Sequence, residues 1–401
     1  MQTNPKDSKE ALGEASSQNI KAKLSNLGLL INGENDHSNV TGSAPTKASL
    51  GLSFGLTEPK QPRTFQPFTA NTITASTSNK PKNKLDAIDE EKYNEIKKNA
   101  GYLLINNERI KTSMNDFEDI CELGSGTCGL VKKMQHKQSG QLIAVKQMRI
   151  TGNAEENKRI IMDLDVVLKC HNCENIVSCL GYFISELDVW ICMDLMTMCF
   201  DKLLKLTKQP IPEQILGKLS LCTLQALNFL KQTHNVIHRD IKPSNLLINK
   251  KGEIKLCDFG ISGNLVDSKV QTRNAGCAGY MAPERIKLDN SEYDIRADVW
   301  SLGITLVELA TGEYPFKNCS NEFAVMTAIL ENDPPKLEGD QFSHSFKEFV
   351  RLCLIKDVEK RPKYNILLQN SFIQHYKSEN VDVKGWFIKI LEENKNKVNF
   401  D

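Results

Sequence analysis

The chain has 401 residues, with 51 Lys+Arg against 50 Asp+Glu and a formal net charge of +1. Hydrophobic residues make 40% and charged residues 25%, the balance of an ordinary globular protein. That charge balance excludes nucleic acid and membrane surface as the main partners, and no apolar run approaches the roughly 18 residues of a spanning helix.

Residues 1–80 are over half Ser, Thr, Asn, Gln, Gly and Pro, with no Trp or Tyr. Such a composition buries too little apolar surface to offset chain entropy, so the segment reads as a disordered tail. Three islands within it pair a basic residue with spaced apolar ones: Lys21-Ala-Lys23-Leu-Ser-Asn-Leu27-Gly-Leu29, Lys47-Ala-Ser-Leu50-Gly-Leu52 and Lys60-Gln-Pro-Arg63-Thr-Phe65-Gln-Pro-Phe68. Met1-Gln-Thr-Asn-Pro carries no signal-peptide core and no Gly at position 2, and Asn399-Phe400-Asp401 carries no prenylation Cys. The 12 cysteines fall between Cys121 and Cys353. They read as reduced thiols of a cytoplasmic or nuclear protein. Cys170-His-Asn-Cys173 has metal-ligand spacing, but no second Cys-x-x-Cys pair completes a zinc site.

An extension over 81–116 follows, with a short helix from Asp86 stopped near Gly101. From Phe117 to about Ile150 the pattern predicts strands, with a turn at Ser139-Gly140 before Leu142-Ile-Ala-Val-Lys146. Residues 154–170 predict a helix from Ile160, Ile161, Leu164, Val167 and Leu168. Two more strands surround Glu186-Leu-Asp188. After Pro212 helical periodicity dominates, in Ile215–Leu230, Ala297–Ala310, Phe323–Leu330 and Phe346–Leu354. Residues 375–401 end the chain with an apolar cluster at Val381, Val383, Trp386, Phe387, Ile390 and Leu391. A β-rich part followed by a helical part predicts an α+β molecule of two lobes, with the site between them.

Six short motifs stand in order along the chain. Leu123-Gly124-Ser125-Gly126-Thr127-Cys128-Gly129-Leu130-Val131 fits G-x-G-x-x-G-x-V from Gly124, and its glycines let a turn come close to phosphates. Ala144-Val-Lys146 places an ammonium where it can hold α- and β-phosphates. His238-Arg-Asp240-Ile-Lys242-Pro-Ser-Asn245 offers an Asp to orient an alcohol, a Lys to neutralise a phosphoryl oxygen, and an Asn amide oxygen for a metal. Asp258-Phe-Gly260 supplies a carboxylate for magnesium. Ala282-Pro-Glu284 and Asp298-Val-Trp-Ser-Leu-Gly303 complete the order.

Together these motifs resemble the protein kinases over about residues 117–374. The resemblance implies the two-lobed kinase fold, ATP and Mg2+ between the lobes, and an Arg361–Glu284 pair under the substrate loop. It places Met193 as gatekeeper and Asp194-Leu195-Met196 as the linker beside the adenine, with Ala144 above it. Asp258-Phe-Gly-Ile-Ser-Gly263, Ser268-x-x-x-Thr272 and Tyr280-Met-Ala-Pro-Glu-Arg285 resemble the dual-specificity mitogen-activated protein kinase kinases. Gly124-Ser-Gly-Thr-Cys-Gly129, Asp267-Ser-Lys-Val-Gln-Thr-Arg273, Lys317-Asn-Cys319 and Val381-Asp-Val383 with Trp386-Phe387 resemble their type-seven group.

That group activates Jun N-terminal kinases by phosphorylating Thr and Tyr of a Thr-x-Tyr segment. The resemblance implies an upstream kinase acting on Ser268 and Thr272, a scaffold protein among the partners, docking of the substrate kinase on the tail islands, and docking of the upstream kinase on Val381–Leu391. Two departures stand out. The acidic partner of Lys146 is Asp163, or else Asp165, where a Glu is usual. Cys277 stands where a Thr is usual. A single-specificity Ser/Thr kinase and a pseudokinase scaffold are the competing readings.

Overall fold

The computed structural model describes residues 94–106, 108–126, 129–150, 164, 167–168, 170–258, 278–287 and 294–397, all within the compact unit Asn79–Asp401. Strands β1 (Tyr102–Ile105), β2 (Glu108–Lys111), β3 (Phe117–Gly126), β4 (Gly129–His136), β5 (Leu142–Arg149), β6 (Cys179–Ile184) and β7 (Asp188–Met193) form one antiparallel sheet in the order β2-β1-β6-β7-β5-β4-β3. The alternation in β5 shows how an interior strand serves both faces of the sheet. Ile143 and Val145 point into one apolar cluster with Leu103, Phe117 and Phe183, while Met148 joins Ile96, Leu164 and Tyr182 on the other face.

The extension does more than form a helix. Residues 94–99 are helical, and Ile96 is buried against the sheet. Beyond Gly101 the chain makes the β1–β2 hairpin and adds it to the edge at β6. Gly181 permits that pairing, because a Cβ there would lie 2.2 Å from the Tyr102 carbonyl oxygen. The turn signal was present in the sequence: Asn106 sits at φ +51°, the left-handed region that Asn tolerates.

The second lobe opens with β8 (Met198–Cys199), α1 (Phe200–Thr207) and α2 (Glu213–His234). β9 (Leu246–Ile248) and β10 (Ile254–Leu256) complete a small sheet of order β10-β9-β8. Then follow α3 (Pro283–Lys287), α4 (Arg296–Thr311), α5 (Glu322–Glu331), α6 (His344–Cys353), α7 (Tyr364–Leu367), α8 (Ser371–Ser378) and α9 (Val383–Glu393). α4 is the axis of this lobe: all its residues from Arg296 to Ala310 are buried, which is why its sequence is apolar nearly all round rather than along one stripe. Among the described residues no helix is long and apolar enough to cross a membrane.

The C-terminal apolar cluster splits in the structure. Val383, Phe387 and Leu391 are buried against the helical lobe, while Trp386 and Ile390 are half-buried. The face made by Val383, Trp386, Phe387 and Ile390 is therefore not offered whole to a partner. Four-residue spacing turns Val383, Phe387 and Leu391 inward together.

Candidate active site

The sheet presents one edge of the cleft. Val131 lies opposite Lys146, and Ala144 lies opposite Met193. Because side chains alternate along a strand, Val131, Ala144, Lys146 and Met193 share a face. Gly124 pairs with Val131, Ser125 with Leu130 and Gly126 with Gly129, so the glycine-rich segment is the hairpin closing β3 onto β4. Gly129 has φ +127°, and a Cβ would come within 2.2 Å of the Gln147 carbonyl oxygen. Only glycine fits there. The linker residue Asp194 donates its backbone N–H to Ser178 O at 3.0 Å. Its carboxylate accepts from Lys255 Nζ at 3.3 Å, which ties the linker to β10. Met196 is buried.

The helical lobe presents the other edge. A short 3-10 turn, Pro243–Asn245, leads into β9, and Cys257 N donates to Asn245 O at 3.0 Å. The β9–β10 hairpin thus holds Asn245 beside Asp258. The Asn245 side-chain Nδ2 donates to Asp240 Oδ2 at 2.8 Å and to the Asp240 carbonyl at 2.7 Å. Lys242 Nζ reaches the same Asp240 Oδ2 at 2.8 Å. Across the cleft, Lys146 Nζ donates to Asp258 Oδ1 at 2.5 Å. Lys146 is only 6% exposed, whereas the Asp258 side chain is 39% exposed, so the pair sits at the mouth of the cleft with its carboxylate open to solvent. Asp258 stands at φ +59°, a conformation Asp accepts more readily than most residues.

Beneath these groups lies a support that the motifs named without explaining. Asp298, fully buried in α4, accepts from His238 N at 2.9 Å, Arg239 N at 2.7 Å and Tyr364 OH at 2.9 Å. His238 Nδ1 accepts from Asp240 N at 3.2 Å, so its proton sits on Nε2, which donates to Cys257 O at 2.9 Å. The imidazole therefore braces Asp240 and Asp258 together. Burial pushes the neighbouring Cys257 thiol well above its ordinary 9.0, leaving it protonated and inert at neutral pH.

The expected pair of Arg361 and Glu284 is formed: Nη1–Oε1 is 2.7 Å and Nη2–Oε2 is 3.1 Å. Arg361 also donates to the carbonyls of Ile355 and Arg296, each at 2.8 Å. A second anchor, Tyr280 to Glu308, is absent from the sequence reading. Tyr280 OH donates to Glu308 Oε2 at 2.6 Å, and Ser301 Oγ donates to Tyr280 O at 2.7 Å. Burial holds the Glu308 carboxyl above its usual range. The only sequence signal was an acid at an otherwise apolar helix position. These anchors fix the stretch Ala278–Tyr280 beside a cavity of about 400 Å³ walled by Tyr280, Tyr314, Phe316 and Val325.

Thr127, Cys128, Asp163, Asp165, Ser268, Thr272, Cys277 and the tail islands lie outside the described residues. Asp258 and Asn245 offer a carboxylate and an amide, oxygen donors of the kind Mg2+ takes. With its nitrogen committed to Asp240, Asn245 has its oxygen to give. Among the described residues no group of three or more His, Cys, Asp or Glu makes a metal cage.

The chain matches the protein kinase domain family over residues 117–373. It is 57% identical over 306 residues to dual specificity mitogen-activated protein kinase kinase 7 of Rattus norvegicus, covering 75% of this chain and 73% of that one. The human protein of the same name is 56% identical over 306 residues, with the same coverage. Dual specificity mitogen-activated protein kinase kinase hemipterous of Drosophila melanogaster is 58% identical over 309 residues, covering 76% of this chain and 26% of the fly protein. The match thus spans about a quarter of that longer relative.

Proposed function

The chain belongs to the protein kinase domain family and, within it, to the dual-specificity mitogen-activated protein kinase kinases, and from that premise we propose that it transfers the γ-phosphoryl group of ATP to Thr and Tyr of a Thr-x-Tyr segment in a mitogen-activated protein kinase of the Jun N-terminal kinase class. The output would be stress signalling. The observation that carries this reading is the arrangement of Asp240, Lys242 and Asn245 facing Lys146 and Asp258.

In the transfer, the bond from the γ-phosphorus to the bridging oxygen of ADP breaks. A bond to the acceptor oxygen forms, and the acceptor loses its proton. Asp240, aimed by Asn245 and Lys242, orients that hydroxyl and takes up its proton. Lys242 offsets charge on the transferred group, and Lys146 holds the phosphates. Asn245 and Asp258 are the residues that would hold Mg2+, which screens phosphate charge when bound. Little covalent work falls to the protein; positioning and electrostatics supply most of the rate.

Control rests on phosphate at Ser268 and Thr272, placed by an upstream kinase. Each phosphate adds nearly two negative charges, which favours pairing with arginine. Activity of a Ser268→Ala/Thr272→Ala protein from stimulated cells equal to wild type would remove this control. The tail islands would dock the substrate kinase, and a peptide of residues 19–32 should then inhibit its phosphorylation.

One assay separates the competing readings. The activated protein is given a Thr-x-Tyr kinase whose two acceptors are mutated separately. Phosphate on both residues supports dual specificity. Phosphate on Thr alone indicates a single-specificity kinase, and phosphate on neither indicates a scaffold.

A further inference from the structure

Lys202 sits in the first turn of α1, where a positive side chain opposes the helix dipole. The rest of this helix obeys the dipole: Asp201 is at its start, Lys205 is in its last turn, and the two pair at 2.9 Å. The exception has a use. Lys202 Nζ donates to the backbone carbonyl of Leu123 at 2.5 Å, across 79 positions of sequence and from one lobe to the other.

The acceptor is as unusual as the donor. β3 and β4 pair at Glu122 with Lys132 and again at Gly124 with Val131, so Leu123 is passed over by a register shift. A bulge frees backbone groups that a regular ladder would consume. Here it lies immediately before the glycine-rich turn, and Lys202 takes up Leu123's carbonyl.

We propose that Lys202 is a positioning residue of the nucleotide site: its ammonium latches the glycine-rich strand to the helical lobe at the rim of the cleft, slowing escape of the bound nucleotide. The proposal rests on the reading of this cleft as an ATP site. Deeper in, Lys146 and Asp258 already bridge the lobes at 2.5 Å, but phosphates and cation compete for both of those groups. The rim contact uses a backbone carbonyl and a side chain that neither phosphate nor Mg2+ needs, so it survives nucleotide binding. The amide of Lys202 donates to Cys199 Sγ at 3.5 Å, which caps the helix and keeps the side chain at the rim.

The test uses the full chain, a fluorescent ATP analogue with Mg2+, and unlabelled Mg2+-ADP as competitor. Lys202→Met should weaken affinity about three- to tenfold, the loss expected for an ordinary hydrogen bond made by a solvent-exposed side chain. The dissociation rate should rise in proportion, and KM for ATP should rise more than kcat falls. Lys202→Arg, which keeps a cationic donor, should stay within about twofold of wild type. The melting midpoint without nucleotide should move by less than about 1 °C, as for an exposed side chain.

Unchanged affinity and dissociation rate in Lys202→Met would overturn the latch, as would an equal loss of melting midpoint with and without nucleotide. Failure of the wild-type chain to bind the analogue would overturn the ATP reading itself, and the latch with it.

Discussion

Asp298 accepts the backbone N–H of Arg239 at 2.7 Å while Arg239 stands at φ +69°. An Arg in left-handed backbone is strained by about 1–3 kcal/mol. It persists because a fully buried carboxylate holds both Arg239 and His238 by their amides. The residue beside Asp240, the proposed catalytic base, is thus positioned from the core of the helical lobe.

Asp298→Ala is expected to destabilise the protein and to lower activity together. Each buried donor left without an acceptor costs about 1–3 kcal/mol, and two backbone amides and the Tyr364 hydroxyl lose theirs. Denaturant unfolding and kcat should both fall, with Asp298→Asn intermediate. An Asp298→Ala protein of wild-type stability would show that the strain at Arg239 has another support.

Asp240→Asn and Lys146→Met should each cut kcat by roughly 10²–10⁴ and leave a folded protein. Both side chains line the cleft, and neither belongs to an apolar cluster. Circular dichroism and thermal unfolding check the fold, and a radiolabelled phosphate assay checks the rate. Turnover near wild type in Asp240→Asn would take Asp240 out of its role.

Glu308 makes stability depend on pH. Burial raises its folded-state pKa above the ordinary 4.5, so on raising the pH the unfolded chain loses this proton first. Its contribution is fully present below pH 4.5 and is lost as pH rises through the raised value. Glu308→Gln, which cannot ionise, should gain on wild type across that window and hold the gain at neutral pH. Melting curves of the two proteins from pH 4 to 7 check the divergence. A gap that stays constant, or that narrows as pH rises, refutes the assignment. Tyr280→Phe should alter the window, because the Tyr280 hydroxyl bonds the carboxylate.

The two faces of α9 should separate in experiment. Phe387 is fully buried, so Phe387→Ala should cost about 3–5 kcal/mol. Trp386→Ala/Ile390→Ala should cost clearly less, since both side chains are half-buried. If the exposed part of this helix docks the upstream kinase, the double variant should be phosphorylated more slowly at Ser268 and Thr272. It should keep full activity once phosphorylated. An equal loss in both assays would make the helix purely structural.

Much of the cleft was legible because its chemical groups come in short linear segments. Gly124 to Val131, Ala144 to Lys146, His238 to Asn245 and Asp258 each carry their spacing within a few residues. The β9–β10 hairpin that brings Asn245 beside Asp258 is itself only a few residues long. Strands β3 to β7 and helices α2, α4, α5 and α6 follow from period-2 and period-3.6 patterns in the same way. The β1–β2 hairpin is not legible in the same way, because its two strands are four residues each and carry little periodicity.

By itself, then, the amino-acid order determined the two lobes, the motif residues that meet in the cleft and the Arg361–Glu284 pair that the family pattern implied. The tertiary structure alone decided what stands behind them. Asp298 and Tyr364 meet His238 and Arg239, Glu308 meets Tyr280, Lys202 meets Leu123, and α9 turns Phe387 rather than Trp386 inward. The reason is physical. A periodic pattern states that a helix has an apolar face, and a motif states which groups are present. Neither names the distant backbone carbonyl, amide or core surface that will satisfy them, because that choice is made by packing between elements far apart in the chain.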